Sequence, residues 1–404
     1  PQPDPEVPRF SYEAHIKALT GEDRAWPQST RSVSQLRLSM RYQPAGMFSG
    51  LWGAGELHLD IVDYPGEWLL DLPLIDQSYA DWAAEALKAA ESPARAAHAA
   101  GWASALQDID PAAPHDEPDA ERLHTAYRAY LQACREAGLS ALAPGRFLMP
   151  GELEGSPALT FAPLPRPDRV RRRSLYAQME ERFDAYKRVV AKPFFREHFA
   201  RLDRQVVLID ALGALAGGPR AMADLTASMA ETLACFRHGQ RGWLDTILGT
   251  RRIGRILFAA SKADHLHHAQ HPRLTALTEA MLAEARRRAE WNGAETKAMA
   301  LAAIRATSEQ EVHRAGRDLQ LVRGRRLDTG REAAIYPGEL PEDPRPLLAA
   351  ADAAEPGAAP LDWPEGDFAA INFAPPDWGN RPEDGPPHIR LDSALEFLIG
   401  DRLE

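Results

Sequence analysis

The sequence predicts an α/β protein whose mostly parallel sheet carries one antiparallel strand pair and is interrupted by a large α-helical insertion. Three observations predict it. Two apolar runs of strand length, RQVVLI at Arg204–Ile209 and RILFAA at Arg255–Ala260, are separated and followed by helical patterns, as in βαβ crossovers. Two runs near the start alternate apolar and polar residues with period two, as half-buried strands do. Between these groups, residues 71–202 read as alanine-rich helices divided by proline-rich joints.

In chain order, a short helical pattern at 10–19 (FSYEAHIKAL) and a polar connector at 20–31 precede the alternating runs. At 34–42 (SQLRLSMRY), Leu36, Leu38 and Met40 share one face; at 56–63 (ELHLDIVD), Leu57, Leu59 and Ile61 do the same. Gly50, Gly53 and Gly55 lie between them, as expected of an antiparallel pair, and Pro65-Gly66 ends the second strand. Helices are expected at 81–92, 94–107, 120–137 and 174–202, with joints at 111–118 and 144–167. A helix at 219–238 follows RQVVLI, a helix at 272–291 follows RILFAA, and a third strand is expected at 299–307 (MALAAIRAT). Runs at 319–322 and 333–336 flank Gly324 and Gly330 as a hairpin, and 340–387 reads as proline-rich loop. A last helix at 392–398 (DSALEFL) opens on a good N-cap. The expected division is a core of residues 1–70 and 203–404 around an insertion at 71–202.

Composition excludes several function classes. With 47 Lys+Arg against 58 Asp+Glu the net charge is −11, which argues against a surface built to grip nucleic acid. A hydrophobic content of 45% with 26% charged residues supplies a globular core. Cys134 and Cys235 lie in different segments, so a disulfide scaffold is excluded and a reducing, cytoplasmic setting fits. Val206 to Ala216 is the most apolar stretch, but it is short and broken by Asp210, so membrane contact is at most peripheral. The chain opens PQPDPEVPRF, without Met, and reads as starting in mid-protein.

The chemistry-bearing features are loops at strand ends. Asp63-Tyr64-Pro65-Gly66 is a D-x-x-G leaving the second alternating strand. An aspartate there can hold Mg²⁺, and the glycine lets a backbone N–H approach a terminal phosphate. Asp210-Ala211-Leu212-Gly213 fits the same spacing, so the motif alone is weak. Ser261-Lys262-Ala263-Asp264 follows RILFAA and resembles the [NT]-K-x-D guanine loop of GTPases. In such a loop the carboxylate accepts two hydrogen bonds that adenine does not offer, and the lysine stem covers the base. Ala306-Thr307-Ser308 stands at the end of the next expected strand, where GTPases carry a short loop whose backbone meets the base oxygen. The order of the three loops carries more weight than any one of them.

Other features have plainer readings. His265-x-His267-His268-x-x-His271 has metal-like spacing without a cysteine, and reads as the polar segment after the base loop. Trp26, Trp52 and Trp68 read as core or switch packing, and Arg169 to Arg173 (RVRRR) as a solvated helix start.

The runs VDYPGEWLLDLP (62–73), LDRQVVLIDAL (202–212), LFAASKADH (257–265), YPGELP (336–341) and PHIRLDSALEFLIGDRL (387–403) resemble the YcjX-like family of bacterial P-loop GTPases. The resemblance implies a Ras-like P-loop nucleotide-binding core interrupted by a helical insertion, a GTP/GDP ligand with Mg²⁺, and an association with envelope or phage-shock-type stress. It implies Asp63 and Thr30 on the metal, with Ser29 and Ser32 as rivals to Thr30 for that place. Ser261, Lys262, Asp264, Thr307 and Ser308 would lie on the base, and Gly66 and Glu67 at the hydrolytic centre. Glu67 stands where relatives of Ras carry a water-orienting glutamine, and Arg31 is placed to neutralise charge in cis. No glycine in this chain is followed by lysine, so no G-x-x-x-x-G-K-[ST] is present. The expectation is that this segment precedes Pro1, and that the chain as it stands holds nucleotide poorly. The function expected is GTP hydrolysis as a conformational switch, with an unknown protein partner reached through the insertion. The alternative is a non-hydrolysing helical scaffold or adaptor on a nucleotide-binding fold.

Overall fold

The structure, a computed structural model, describes residues 4–43, 55–198, 201–234, 253–291, 293–314, 316–354, 363–364, 366, 368, 372–377 and 385–403. Trp52, Gly50, Gly53 and Cys235 lie outside the described residues. It is a mixed α/β fold containing a parallel three-stranded sheet.

Strands β1 (Ser34–Tyr42) and β2 (Gly55–Asp63) pair antiparallel, as their alternation predicts, with Leu36 opposite Ile61, Leu38 opposite Leu59 and Met40 opposite Leu57. Arg37 and Asp60, opposite in register, form a two-pronged ion pair at 2.5 and 2.6 Å. Strands β3 (Arg204–Ile209), β4 (Arg255–Ala260) and β5 (Glu295–Ala300) are parallel and adjacent in that order. The third strand therefore lies earlier than the 299–307 read from the sequence. Its first half, Glu295 to Lys297, is polar and only its second half is buried, so the apolar pattern points too late.

One face of this sheet, with Val207, Ile209, Ile256, Phe258, Ala298 and Ala300, packs against helices. These are α8 (Ala211–Ala216), α9 (Pro219–Ala234), α10 (His271–Met281), α11 (Ala283–Trp291) and α12 (Arg345–Asp352). The expected 272–291 helix is thus two, because the backbone leaves the helix at the fully buried Leu282. Helix α12 lies in the stretch read as loop: its prolines are start signals, Pro346 occupying the first turn where a missing N–H costs nothing. On the other face, Leu257, Ala259, Met299 and Leu301 pack on the C-terminal helix α13 (Leu391–Ile399) and on Met40, Leu57 and Leu59 of the hairpin. There Val206 and Leu208 of β3 stay 44% and 68% exposed, so this part of the sheet face is uncovered. The expected 319–336 hairpin is β7 (Arg317–Arg325) with β8 (Glu332–Ile335); a preceding strand, β6 (Ser308–Arg314), completes an antiparallel sheet.

After α1 (Tyr12–Thr20), the helices between Tyr79 and Glu197 are α2 (Tyr79–Ala90), α3 (Ala96–Gln107), α4 (Glu117–Glu136), α5 (Gly145–Leu148), α6 (Leu175–Tyr186) and α7 (Lys192–Glu197). With Trp68 and Leu72 they build a separate core rich in rings, in which Trp82 stacks on Phe183 and Trp102 on Tyr130. The single helix expected at 174–202 is broken by a π-helical turn at Lys187–Ala191, just ahead of Pro193, which has no N–H to continue the ladder. Among the described residues no helix is long and apolar enough to cross a membrane.

Candidate functional site

Strand β4 ends in the S-K-A-D loop, and the fold fixes every residue of it. The Ser261 amide donates to the Ile209 carbonyl at 2.9 Å and its hydroxyl to the same oxygen at 3.2 Å, bracing the loop on the end of β3. Lys262 takes a left-handed backbone (φ 60°), a conformation side-chain-bearing residues rarely adopt. The Ala263 amide then reaches the Leu301 carbonyl at the end of β5 (3.2 Å). Asp264 is buried, 5% exposed; one carboxylate oxygen accepts the Ala306 N–H at 2.8 Å, and its carbonyl accepts the Thr307 hydroxyl at 2.5 Å. Asp264 and the Ala306-Thr307 stretch are thereby joined, although Thr307 lies in the connection to β6 and not at the end of β5. Ser308 opens β6 and faces away, its hydroxyl 3.4 Å from the Arg323 carbonyl.

The Lys262 ammonium is paired with Asp210 at 2.7 Å. The other oxygen of Asp210 accepts the Gly213 N–H and caps α8, which accounts for the second D-x-x-G of the sequence as a helix cap. Two of the histidines serve structure. His271, buried, puts Nε2 2.9 Å from the Ala263 carbonyl and 3.3 Å from that of Leu266. Burial lowers its pKa, so a neutral ring donates Nε2–H to these carbonyls and braces the turn. His265 packs edge-on against Phe373. His267 and His268 instead face Glu309 of β6, a grouping that sequence spacing does not reveal.

At the end of β2 the two residues expected on the metal side meet: the Thr30 hydroxyl donates to the Asp63 carboxylate at 2.7 Å. Gly66 then opens a 3₁₀ segment, Gly66–Asp71. A Cβ on Gly66 would touch nothing within 4 Å, so packing does not require glycine there. Arg31, next to Thr30 in sequence, is exposed, and its carbonyl lies against Gly151.

The 3₁₀ segment is fastened to the helices. Glu67 pairs with Arg135 of α4 at 2.6 Å. Trp68 donates Nε1–H to the Met149 carbonyl at 2.8 Å, and the Arg146 guanidinium lies 3.1 Å over its ring. Asp71, fully buried, accepts from the Gly145 N–H at 2.7 Å and the Tyr186 hydroxyl at 2.6 Å. Burial raises its carboxyl to about 6, opposed by those two hydrogen bonds and by Arg146. Gly145 has to be glycine: a Cβ there would sit 1.8 Å from the Glu67 carbonyl oxygen. Sequence reasoning missed Arg135, Gly145, Arg146 and Tyr186, because their partners lie far away in the chain. Gly145 and Arg146 lie within the stretch read as a proline-rich joint, which marks neither of them.

Comparison with known proteins decides the family. The model of the YcjX-like family, DUF463, matches residues 1–403. The chain belongs to that family. It is similar to the Ras-like GTPase YcjX of Escherichia coli K12, 36% identical over 417 residues that cover all of this chain and 85% of the relative. It is equally similar to the Ras-like GTPase YcjX of Shewanella oneidensis, 36% identical over 416 residues covering all of this chain and 82% of the relative. The naming of these YcjX-like relatives supports a GTP-binding role.

Proposed function

We propose that this YcjX-like chain forms the base-binding and switch parts of a GTPase with a Ras-like core at 1–70 and 203–404, and that residues 71–202 act as its readout. The observation that carries the reading is the junction at Asp264. A buried carboxylate is cross-bonded to the Ala306 amide and keeps a second oxygen for the N1–H and N2 amine of guanine. Ser261 braces the loop, the Lys262 stem lies beside it, and the Thr307 hydroxyl locks the facing connection. Ser308, turned toward β7, stands outside this set in the structure.

Asp63 and Thr30 offer a carboxylate and a hydroxyl oxygen on one hydrogen-bonded pair, a hard donor set that suits Mg²⁺. When bound, Mg²⁺ would offset the charge of the β- and γ-phosphates. Thr30 and Asp63 would hold it, and the open Gly66 amide would meet the terminal phosphate. Glu67 would leave Arg135 to orient water. GTP hydrolysis to GDP and phosphate then changes the strain on the segment from Gly66 to Asp71, and through it the helices. Stress association, a cytoplasmic site of action and a protein partner on the helical part belong to the same reading. Phosphate binding draws on no G-x-x-x-x-G-K-[ST] within these residues.

One observation favours the alternative of a non-hydrolysing scaffold: Glu67 is already engaged by Arg135. Titration with GDP and ADP, together with phosphate release from GTP, separates the readings. Preferential GDP binding with release supports the switch; GDP binding without release supports the scaffold; equal GDP and ADP curves remove the guanine claim.

A further inference from the structure

We propose that His267, His268 and Glu309 form a binding site for a divalent cation of the zinc class. One ligand atom from each lies within 4.8 Å of the others. His267 and His268 follow the S-K-A-D loop, and Glu309 is the second residue of β6, so the site joins two segments distant in sequence.

On its His267 side the cluster is open, its atoms set apart as ligands around a shared ion are, while His268 and Glu309 are joined by a hydrogen bond. The His267 Nε2 atom sits 3.7 Å from Glu309 Oε2 and 3.8 Å from Glu311 Oε1, too long for hydrogen bonds. Ligands held at ~2.0–2.1 Å in a tetrahedron stand about 3.3 Å apart. His268 Nδ1 lies 2.5 Å from Glu309 Oε2, and that contact opens when the ion enters between them. The His267 side chain is nearly buried, whereas that of His268 is 69% exposed and leaves a path from solvent.

Surrounding groups suit the role. Arg305 binds the other Glu309 oxygen at 3.0 Å and so orients the carboxylate. Ligation through His267 Nε2 places the ring proton on Nδ1 and gives up only the long 3.3 Å contact from the Ala269 amide. Two imidazoles select zinc-class ions over Mg²⁺ and Ca²⁺, which prefer all-oxygen sets. An ion here would fasten the His268–Gln270 turn to β6, next to Thr307. It does so whether or not nucleotide binds.

The test is titration of the chain, without nucleotide, with Zn²⁺ by calorimetry and with Co²⁺ by visible absorption. One ion per chain is expected, with His268→Ala and Glu309→Gln each weakening it about tenfold or more, while His313→Ala, on an exposed histidine elsewhere, leaves it unchanged. Both ligand variants sit at or near the surface, and circular dichroism confirms their folding. Absence of one-to-one binding, or equal affinity in the native protein and the two ligand variants, overturns the proposal.

Discussion

The Glu67 carboxylate lies 2.6 Å from the guanidinium of Arg135, at the end of helix α4. The residue after Gly66 is thus tied to the helices, not left free beside a phosphate. Both side chains are partly exposed, so the pair contributes at most about 1 kcal/mol, and its importance is geometric. Arg135→Ala is expected to change global stability by less than ~1 kcal/mol while speeding hydrogen exchange across the Gly66–Asp71 segment. Unchanged exchange in that segment would show that the ion pair does not hold it.

The close approach of Gly145 to the Glu67 carbonyl makes a harsher test. Gly145→Ala places a methyl inside the contact and has to push the two segments apart. A loss of roughly 2–4 kcal/mol in denaturant unfolding is expected, on the scale of overpacked or strained sites. A near-neutral change would mean that the two segments are free to separate.

Asp71 gives a pH dependence with a definite sign. Its folded-state carboxyl is raised to about 6, above the ordinary value, so the folded chain holds a proton that the unfolded chain has released. Its contribution is fully present below the unfolded pKa and is lost as pH rises through about 6. The difference amounts to about 3 kcal/mol at most. Asp71→Asn removes this term. Relative to the native protein, the variant should gain stability between pH 4.5 and 7, measured by urea unfolding. A constant difference between the two proteins across that range would contradict the account.

His271 should matter to the base loop without touching a ligand. His271→Ala leaves the buried Ala263 carbonyl without its ring donor, a cost of ~1–3 kcal/mol, and loosens the turn that carries Asp264. Hydrogen exchange at residues 261–266 is expected to rise, and His271→Gln to restore part of the protection.

Much of this fold is legible in sequence because it is written locally. The alternation of Leu36, Leu38 and Met40 against Leu57, Leu59 and Ile61 specifies the β1–β2 pair, and the apolar β-branched runs specify β3 and β4. The order of D-x-x-G and S-K-x-D points to the loops. Strand β5 is misplaced because half of it is polar, and α12 is missed because its start prolines look like loop. The pairing of Thr30 with Asp63 is anticipated only as a shared role, and the contact itself depends on the fold. The links from Glu67 to Arg135 and from Asp71 to Tyr186 leave no local trace, since each partner reads as an ordinary helix residue.

The most direct test of the central claim, that Asp264 selects guanine, is competitive titration of the native protein and Asp264→Asn with GDP, XDP and ADP. The carboxylate accepts from the base's N1–H and N2 amine, whereas the amide of Asn can donate to the extra oxygen of xanthine. The native protein should prefer GDP to both rivals. Asp264→Asn should lose about 1.5–3 kcal/mol toward GDP and prefer XDP. A native protein that binds GDP and ADP alike, or an Asp264→Asn variant with unchanged GDP affinity, would contradict the assignment of this loop to the base.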